Sequence, residues 1–431
     1  MAVDLAPDSF AARVRASNPL PLGTISVGGG LLLNGVGIYV FISLAGRGLG
    51  PTAMAPLSVM WAITFFAAPG VFLPLEQELS RAVASRRARG VGAAPALRQT
   101  AIIGVGLLTA VLAVAIATLP LTYHDLFDGQ VLLYVGFLLT LIGSAVAHPV
   151  RGLLSGSERF VDYSIYFGVE GLLRIVAGLA LFVAGTTTAG LYGLSIGIVP
   201  FVALAAALAR PRRLVQPGPP SRAGEVTASL GALLAASLLT AAMMNGGVVA
   251  IELLASDEQE GAASRFLAGL IIARVPLFLF QAVQASLLPR LAHLAGGRQW
   301  PEFRGALRRL LLVVGSIGLV ATIAAWTVGP FVLTTLFGDE YALGHRDLAL
   351  LALSSALFMA AVALGQSLIA LSSQTHLALA WAAGILAFAG VTALGNDLFL
   401  RVELGLVLGT ATVVGILGVL LTALLAREDL L

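Results

Sequence analysis

The chain has 431 residues, 58% of them hydrophobic and 11% charged, with a formal net charge of +3 and a mean hydropathy of +0.96. A water-soluble fold of this length could not cover so much apolar surface with polar side chains, so the composition excludes an ordinary globular domain. With no Cys, disulfides, Cys-ligated metals and thiol nucleophiles are excluded as well.

The opening segment MAVDLAPDSFAARVRASNPLPLG is polar and lacks the charged-then-apolar order of a signal peptide. The first span is therefore expected to stay uncleaved. Apolar stretches follow at 22–45, 52–77, 97–120, 129–154, 164–186, 189–209, 226–255, 262–289, 306–329, 346–371, 375–394 and 399–426. Each is long enough to cross the ~30 Å hydrocarbon core as a helix. Helices in lipid satisfy their own backbone groups, so the expected fold class is all-α: an integral membrane protein of about twelve transmembrane helices.

All 25 basic residues are Arg, and the gaps sort them by side. Nineteen fall on one side, among them Arg81, Arg86, Arg87, Arg89, Arg151, Arg213, Arg304, Arg308 and Arg309. Four, Arg47, Arg265, Arg346 and Arg401, fall on the other, beside Asp125, Asp128, Asp257, Glu258, Glu260, Asp339 and Glu340. The positive-inside rule then puts both termini in the cytoplasm, in the cytoplasmic (inner) membrane of the cell. The same asymmetry accounts for the net positive charge, so no nucleic-acid partner is expected.

The Pro- and Gly-rich stretch ARPRRLVQPGPPSRAGE (209–225) interrupts the pattern near the middle of the chain. It divides the sequence into a cytoplasmic segment 1–21, a six-helix half 22–209, a linker 210–225, a second six-helix half 226–426 and a tail 427–431. Three matches support a duplication. Asn34-Gly35 corresponds to Asn245-Gly246, 211 positions on; Ser80-Arg81 to Pro289-Arg290, 209 on; and RGLLSGSERF (151–160) to QSLIALSSQT (366–375), 215 on. Two halves with an even number of spans are expected to flank a central cleft.

ARVPLFLFQAVQASLLPRLAHLAG (273–296), PGVFLPLEQELSRAVASRR (69–87) and HPVRGLLSGSERFVDYSIYFGVEGLLRI (148–175) resemble segments of the MOP superfamily: multidrug exporters, oligosaccharidyl-lipid flippases and polysaccharide transporters. The LLPRLA ending and the RG-x-L-x-G-x-x-RF run look most like the polysaccharide-transporter and lipid-flippase branches. The resemblance implies a MATE-like architecture that moves a polyprenyl-diphosphate-linked oligosaccharide across the membrane by alternating access, for cell-envelope polysaccharide synthesis. It implies membrane lipids and this lipid-linked oligosaccharide as partners, with envelope glycosyltransferases or a polymerase as further ones. It implies no cofactor and no enzymatic activity. A drug or cation antiporter of the same superfamily is the first rival, and a non-transporting scaffold of envelope assembly another.

An ionisable side chain deep in a span is a functional-site hypothesis by default. Arg274 lies about a dozen residues into the eighth span, near mid-bilayer at ~1.5 Å per residue. Gln281 and Gln284 share its helix face. A guanidinium grips phosphate oxygens bidentately, so this stripe suits a diphosphate-linked substrate; the resemblance places an arginine of lipid II flippases at a similar point before the proline. Against it stands an Arg paired to a carboxylate of a neighbouring helix. Glu170 and Arg174, spaced i, i+4, read as a self-neutralising pair or as a coupling pair that exchanges partners. Asn34 and Asn245 read as cleft-lining residues or as interhelical hydrogen-bond glue. Glu252 is expected to be wet, Glu76 and Glu78 to form an interfacial cluster with Arg81, and His148 to be a helix-end residue without metal-like companions. No Walker A pattern and no G-x-S-x-G run is present.

Overall fold

The computed structural model describes residues 22–209, 215–221, 226, 230–277, 280, 294, 298–371 and 374–428. Gln281 and Gln284 lie outside the described residues, as does most of the linker's start. Among those described there is no strand. The helices are α1 (Leu22–Ala88), α2 (Ala94–Ala117), α3 (Val131–Gly156), α4 (Phe160–Val183), α5 (Ala189–Leu208), α6 (Leu230–Leu254), α7 (Ala262–Ala273), α8 (Trp300–Thr327), α9 (Gly329–Phe337), α10 (His345–Ala370), α11 (Gln374–Ala393) and α12 (Leu398–Glu428). Ten of them are long and apolar enough to cross a membrane. The chain is a multi-pass membrane protein.

The 67-residue α1 is two crossings joined by a break. Gly50 has φ 72° and ψ 167°, a conformation that ends one helix and that a residue with a Cβ resists. Pro51 opens the second leg, where its missing N–H is no loss. The legs fold back on each other. Gly30, near the start of the first leg, packs on Ser164, and Ser80, near the end of the second, accepts a hydrogen bond from Ser155 at 2.9 Å. Both contacts flank the turn between α3 and α4, while Gly50 stands at the opposite end beside Glu340.

The backbone repeats across the halves. Gly50 and Gly261, 211 positions apart, both have positive φ, as do Gly129 and Gly338, 209 apart. A short π-helical segment, Pro120–Leu126, follows α2 as the short α9 follows α8.

At the acidic end the halves are tied together. Ser264 donates to the Pro51 carbonyl at 2.6 Å, Tyr341 to the Gly46 carbonyl at 3.1 Å, and Arg47 Nε to the Leu336 carbonyl at 2.8 Å; Ser43 donates to Leu336 as well. Toward the Arg-rich end, Leu32, Leu33 and Val36 of the first leg are exposed.

Three expectations need correcting. The second leg of α1 runs to Ala88, not 77, because hydropathy marks where lipid ends and not where a helix ends; Arg81, Arg86 and Arg87 are helical. The short helices Pro120–Leu126 and α9 fall below span length, so a search for span-length apolar stretches does not mark them as separate helices. Arg151 is not a residue of a wet gap: it belongs to α3, and its side chain is 14% exposed. Part of the linker is held in place. Buried Arg86 donates to the carbonyls of Gly92 (2.9 Å) and Pro219 (3.0 Å) and to Ser221 Oγ (3.2 Å), pinning it to the end of α1.

Candidate functional site

The first leg of α1 crosses α4 where glycine faces glycine. A Cβ on Gly37 would stand 2.4 Å from the Gly171 carbonyl, and one on Gly171 2.4 Å from that of Leu33. Only glycine lets the backbones meet so closely. The crossing sets Asn34 against Glu170. Asn34 Nδ2 donates to Glu170 Oε2 at 3.2 Å, Arg174 Nη2 to Glu170 Oε1 at 2.8 Å, and Arg174 Nη1 to Asn34 Oδ1. The three side chains close a ring, with Glu170 and Arg174 both buried. The i, i+4 pair is therefore formed, and Asn34 is its third member.

A second cluster lies between α1, α3 and α4. Glu76 takes Arg151 Nη2 at 2.6 Å, His148 Nδ1 at 2.9 Å and the Tyr163 hydroxyl at 3.1 Å. The Arg151 guanidinium lies 4.7 Å from the Phe167 ring centroid and 5.6 Å from that of Tyr166, which ties this cluster to the helix carrying Glu170. Two sequence readings fall here. Glu78 does pair with Arg81, at 2.6 Å, but Glu76 faces the opposite way, into the half. His148 is not a helix-end residue but a buried partner of Glu76, because about two further turns of α3 follow it. Among the described residues no group of three or more His, Asp or Glu side chains could hold a metal.

In the second half, α7 stops at Ala273 and Arg274 is its C-cap. Pro276 lacks the N–H that would bond the 272 carbonyl, and its ring crowds that carbonyl, so the helix breaks there. The half-buried Arg274 donates to the Met244 carbonyl on α6. No carboxylate pairs with it among the described residues. Tyr39, on the first leg of α1, donates to the Ile271 carbonyl at 2.8 Å and stands close to this guanidinium, so Arg274 sits where the halves meet. Beside it is a cavity of about 20 Å³, lined also by Met243, Ser354, Ser355, Phe358 and Thr410. That is room for about one water. The Ser354, Ser355 and Thr410 hydroxyls each donate to their own helix's carbonyls, which leaves them as acceptors toward the cavity.

Asn245, at the repeat-equivalent position of Asn34, does a different job. Its Nδ2 bonds the Phe65 carbonyl at 3.2 Å and the Ala241 carbonyl at 3.1 Å, linking α6 to the second leg of α1. Glu252 is half-buried near Asp128. In the loop before α3, burial and then the Glu260 carboxylate push the Asp128 carboxyl above its usual range.

Glu403 on α12 was not singled out in the sequence. It is fully buried, and neither carboxylate oxygen has a hydrogen-bond partner. The charges acting on it are Asp347, Arg346 and Asp397. It lies one turn before Leu406, which lines the Arg274 cavity. A lone Glu five residues after a loop reads as a helix-end charge, which is why the sequence hid it.

No family model matches the chain. In sequence it is 27% identical over 439 residues to the uncharacterized protein Rv3630 of Mycobacterium tuberculosis (strain ATCC 25618 / H37Rv), covering 95% of this chain and 96% of that one. It is 27% identical over 428 residues to the uncharacterized protein Rv1510 of the same strain, covering 97% and 95%. In structure it is similar to an inward-facing multidrug resistance MATE family transporter of the MOP superfamily, with TM-score 0.69, 13% identity and coverage of 95% of this chain and 98% of that one. An outward-facing MATE family transporter of the same superfamily gives TM-score 0.66, 11% identity and coverage of 95% and 96%. The chain has the fold of these transporters.

Proposed function

We propose that the protein is a secondary transporter of the MOP type, working by alternating access, and that its substrate is a polyprenyl-diphosphate-linked oligosaccharide carried to the outer leaflet for envelope polysaccharide assembly. In this reading the termini are cytoplasmic, the acidic end is outside, and ties such as Arg47–Leu336 close the outer side. The MATE-type fold supports the transport part. The observation that carries the substrate class is Arg274, a guanidinium at the junction of the halves that donates to the Met244 carbonyl and has no carboxylate to neutralise it among the described residues. Its remaining donors suit a diphosphate. Gln281 and Gln284 extend the same face in the sequence. Arg274→Ala in proteoliposomes carrying lipid-linked oligosaccharide should abolish flipping at near-normal folded yield. Arg274→Lys should lose part of it, keeping the charge without the planar fork. Normal flipping in Arg274→Ala, or simple unfolding, removes the phosphate-binding role.

A cation-coupled multidrug antiporter has one observation in its favour: the unpartnered carboxyl of Glu403. Glu403→Gln in vesicles should abolish dye efflux driven by an ion gradient under this second reading. Under the first it should leave lipid flipping unchanged.

A further inference from the structure

At the Arg-rich end an open groove of about 570 Å³ runs between α8 and α12, which both pack on α10. Arg304, Arg308, Leu311 and Leu312 line it from α8, Thr422 and Leu425 from α12. We propose that this groove holds one anionic phospholipid, with its phosphate on Arg308 and Arg304 and an acyl chain along Leu311 and Leu312.

The argument is the order of chemistry along one helix face. α8 has 28 residues, about 42 Å of helix against a hydrocarbon core of ~30 Å, so its first turns stand at headgroup level. Arg304 and Arg308 are one turn apart on the same side. Leu311 and Leu312 follow about 5 Å deeper. Charge at the interface followed by apolar surface below it is the profile of a phospholipid lying along the bilayer normal. Arg304 Nη2 donates to the Leu425 carbonyl at 3.0 Å, holding α8 to the last turn of α12 and fixing one wall of the groove. Arg308 is exposed and has no ion pair or hydrogen bond among the described residues. Leu312 is 61% exposed within the groove. An unneutralised guanidinium above an uncovered leucine favours a lipid of net negative charge over a zwitterionic one. This inference does not depend on what the protein transports.

The test is native mass spectrometry of the full-length protein in detergent, with phosphatidylglycerol or phosphatidylcholine of matched chains. Phosphatidylglycerol should be retained in preference. Arg308→Glu should weaken its retention roughly fivefold or more, the worth of about one basic side chain at a membrane surface. Arg309→Glu, exposed on the same helix but off the groove, should leave retention unchanged. Leu312→Trp, which fills the apolar end, should displace either lipid. Equal retention of the two lipids, equal loss in Arg308→Glu and Arg309→Glu, or a second protein copy in place of lipid would overturn the proposal.

Discussion

Glu170 and Arg174 are neutral only together. Each is almost wholly enclosed, and Asn34 satisfies one further atom on each. Removing one partner strands a charge away from water, at a cost of about 3–5 kcal/mol, whereas replacing both by apolar groups of similar volume is often nearly neutral. Glu170→Gln or Arg174→Ala should therefore lower the yield of folded protein sharply. Glu170→Leu with Arg174→Leu should recover much of it, measured by size-exclusion profile and melting temperature, and should recover transport too. A well-folded but inactive double variant would move the pair into the mechanism. The i, i+4 spacing made this pair legible. Asn34 as its third member was not, since nothing in a linear chain says that residue 34 meets residue 170.

At the scale of elements, the glycine crossing of α1 on α4 decides whether that ring exists. Gly171→Val would put its side chain into the Leu33 carbonyl and Asn34 backbone and force the helices apart. Gly415→Val on α12 would meet nothing within 4 Å. The first should lose several degrees in melting temperature and much of its folded yield, and the second should behave as wild type. Equal tolerance of both would mean that the crossing is looser than a 2.4 Å approach at Gly171 requires. Helix boundaries within the apolar stretches were readable to within a few residues, as 375–394 against Gln374–Ala393 shows. The second leg's extension to Ala88 was not, because Gln77–Ala88 is a good helix former whether or not lipid surrounds it.

For the whole molecule, the ties at the acidic end imply that opening this side requires Leu336 to leave Ser43. With no native Cys, the pair Ser43→Cys with Leu336→Cys can be cross-linked cleanly. A membrane-impermeant bis-methanethiosulfonate added outside intact cells, which bridges two thiols through disulfides with loss of two sulfinates, should join them and stop transport, and reduction of those disulfides should restore it. Cross-linking only from the inside would invert the proposed sidedness. A cross-linked protein that still transports would remove this end from the alternating cycle.

That the chain is helical and crosses a membrane many times is plain from its amino acids, because burial in lipid is written residue by residue in hydropathy. The 211-residue offset between Asn34 and Asn245 is also the offset between Gly50 and Gly261, which both have positive φ. Which charges are neutralised depends on helix packing. Glu76 reads as part of an interfacial cluster with Glu78 and Arg81, Arg151 as a gap residue and His148 as a helix-end residue, yet Glu76, Arg151 and His148 form one buried cluster, since α1, α3 and α4 converge there. The sequence leaves Arg274 either paired or free; among the described residues no carboxylate pairs with it, because the described helices packed around it bring none within reach. Glu403 gave no signal at all, and its isolation arises from the packing of α12. Hydropathy is a property of each residue, whereas the electrostatic state of a buried charge belongs to its neighbours, and those are set by helix packing between segments far apart in the chain.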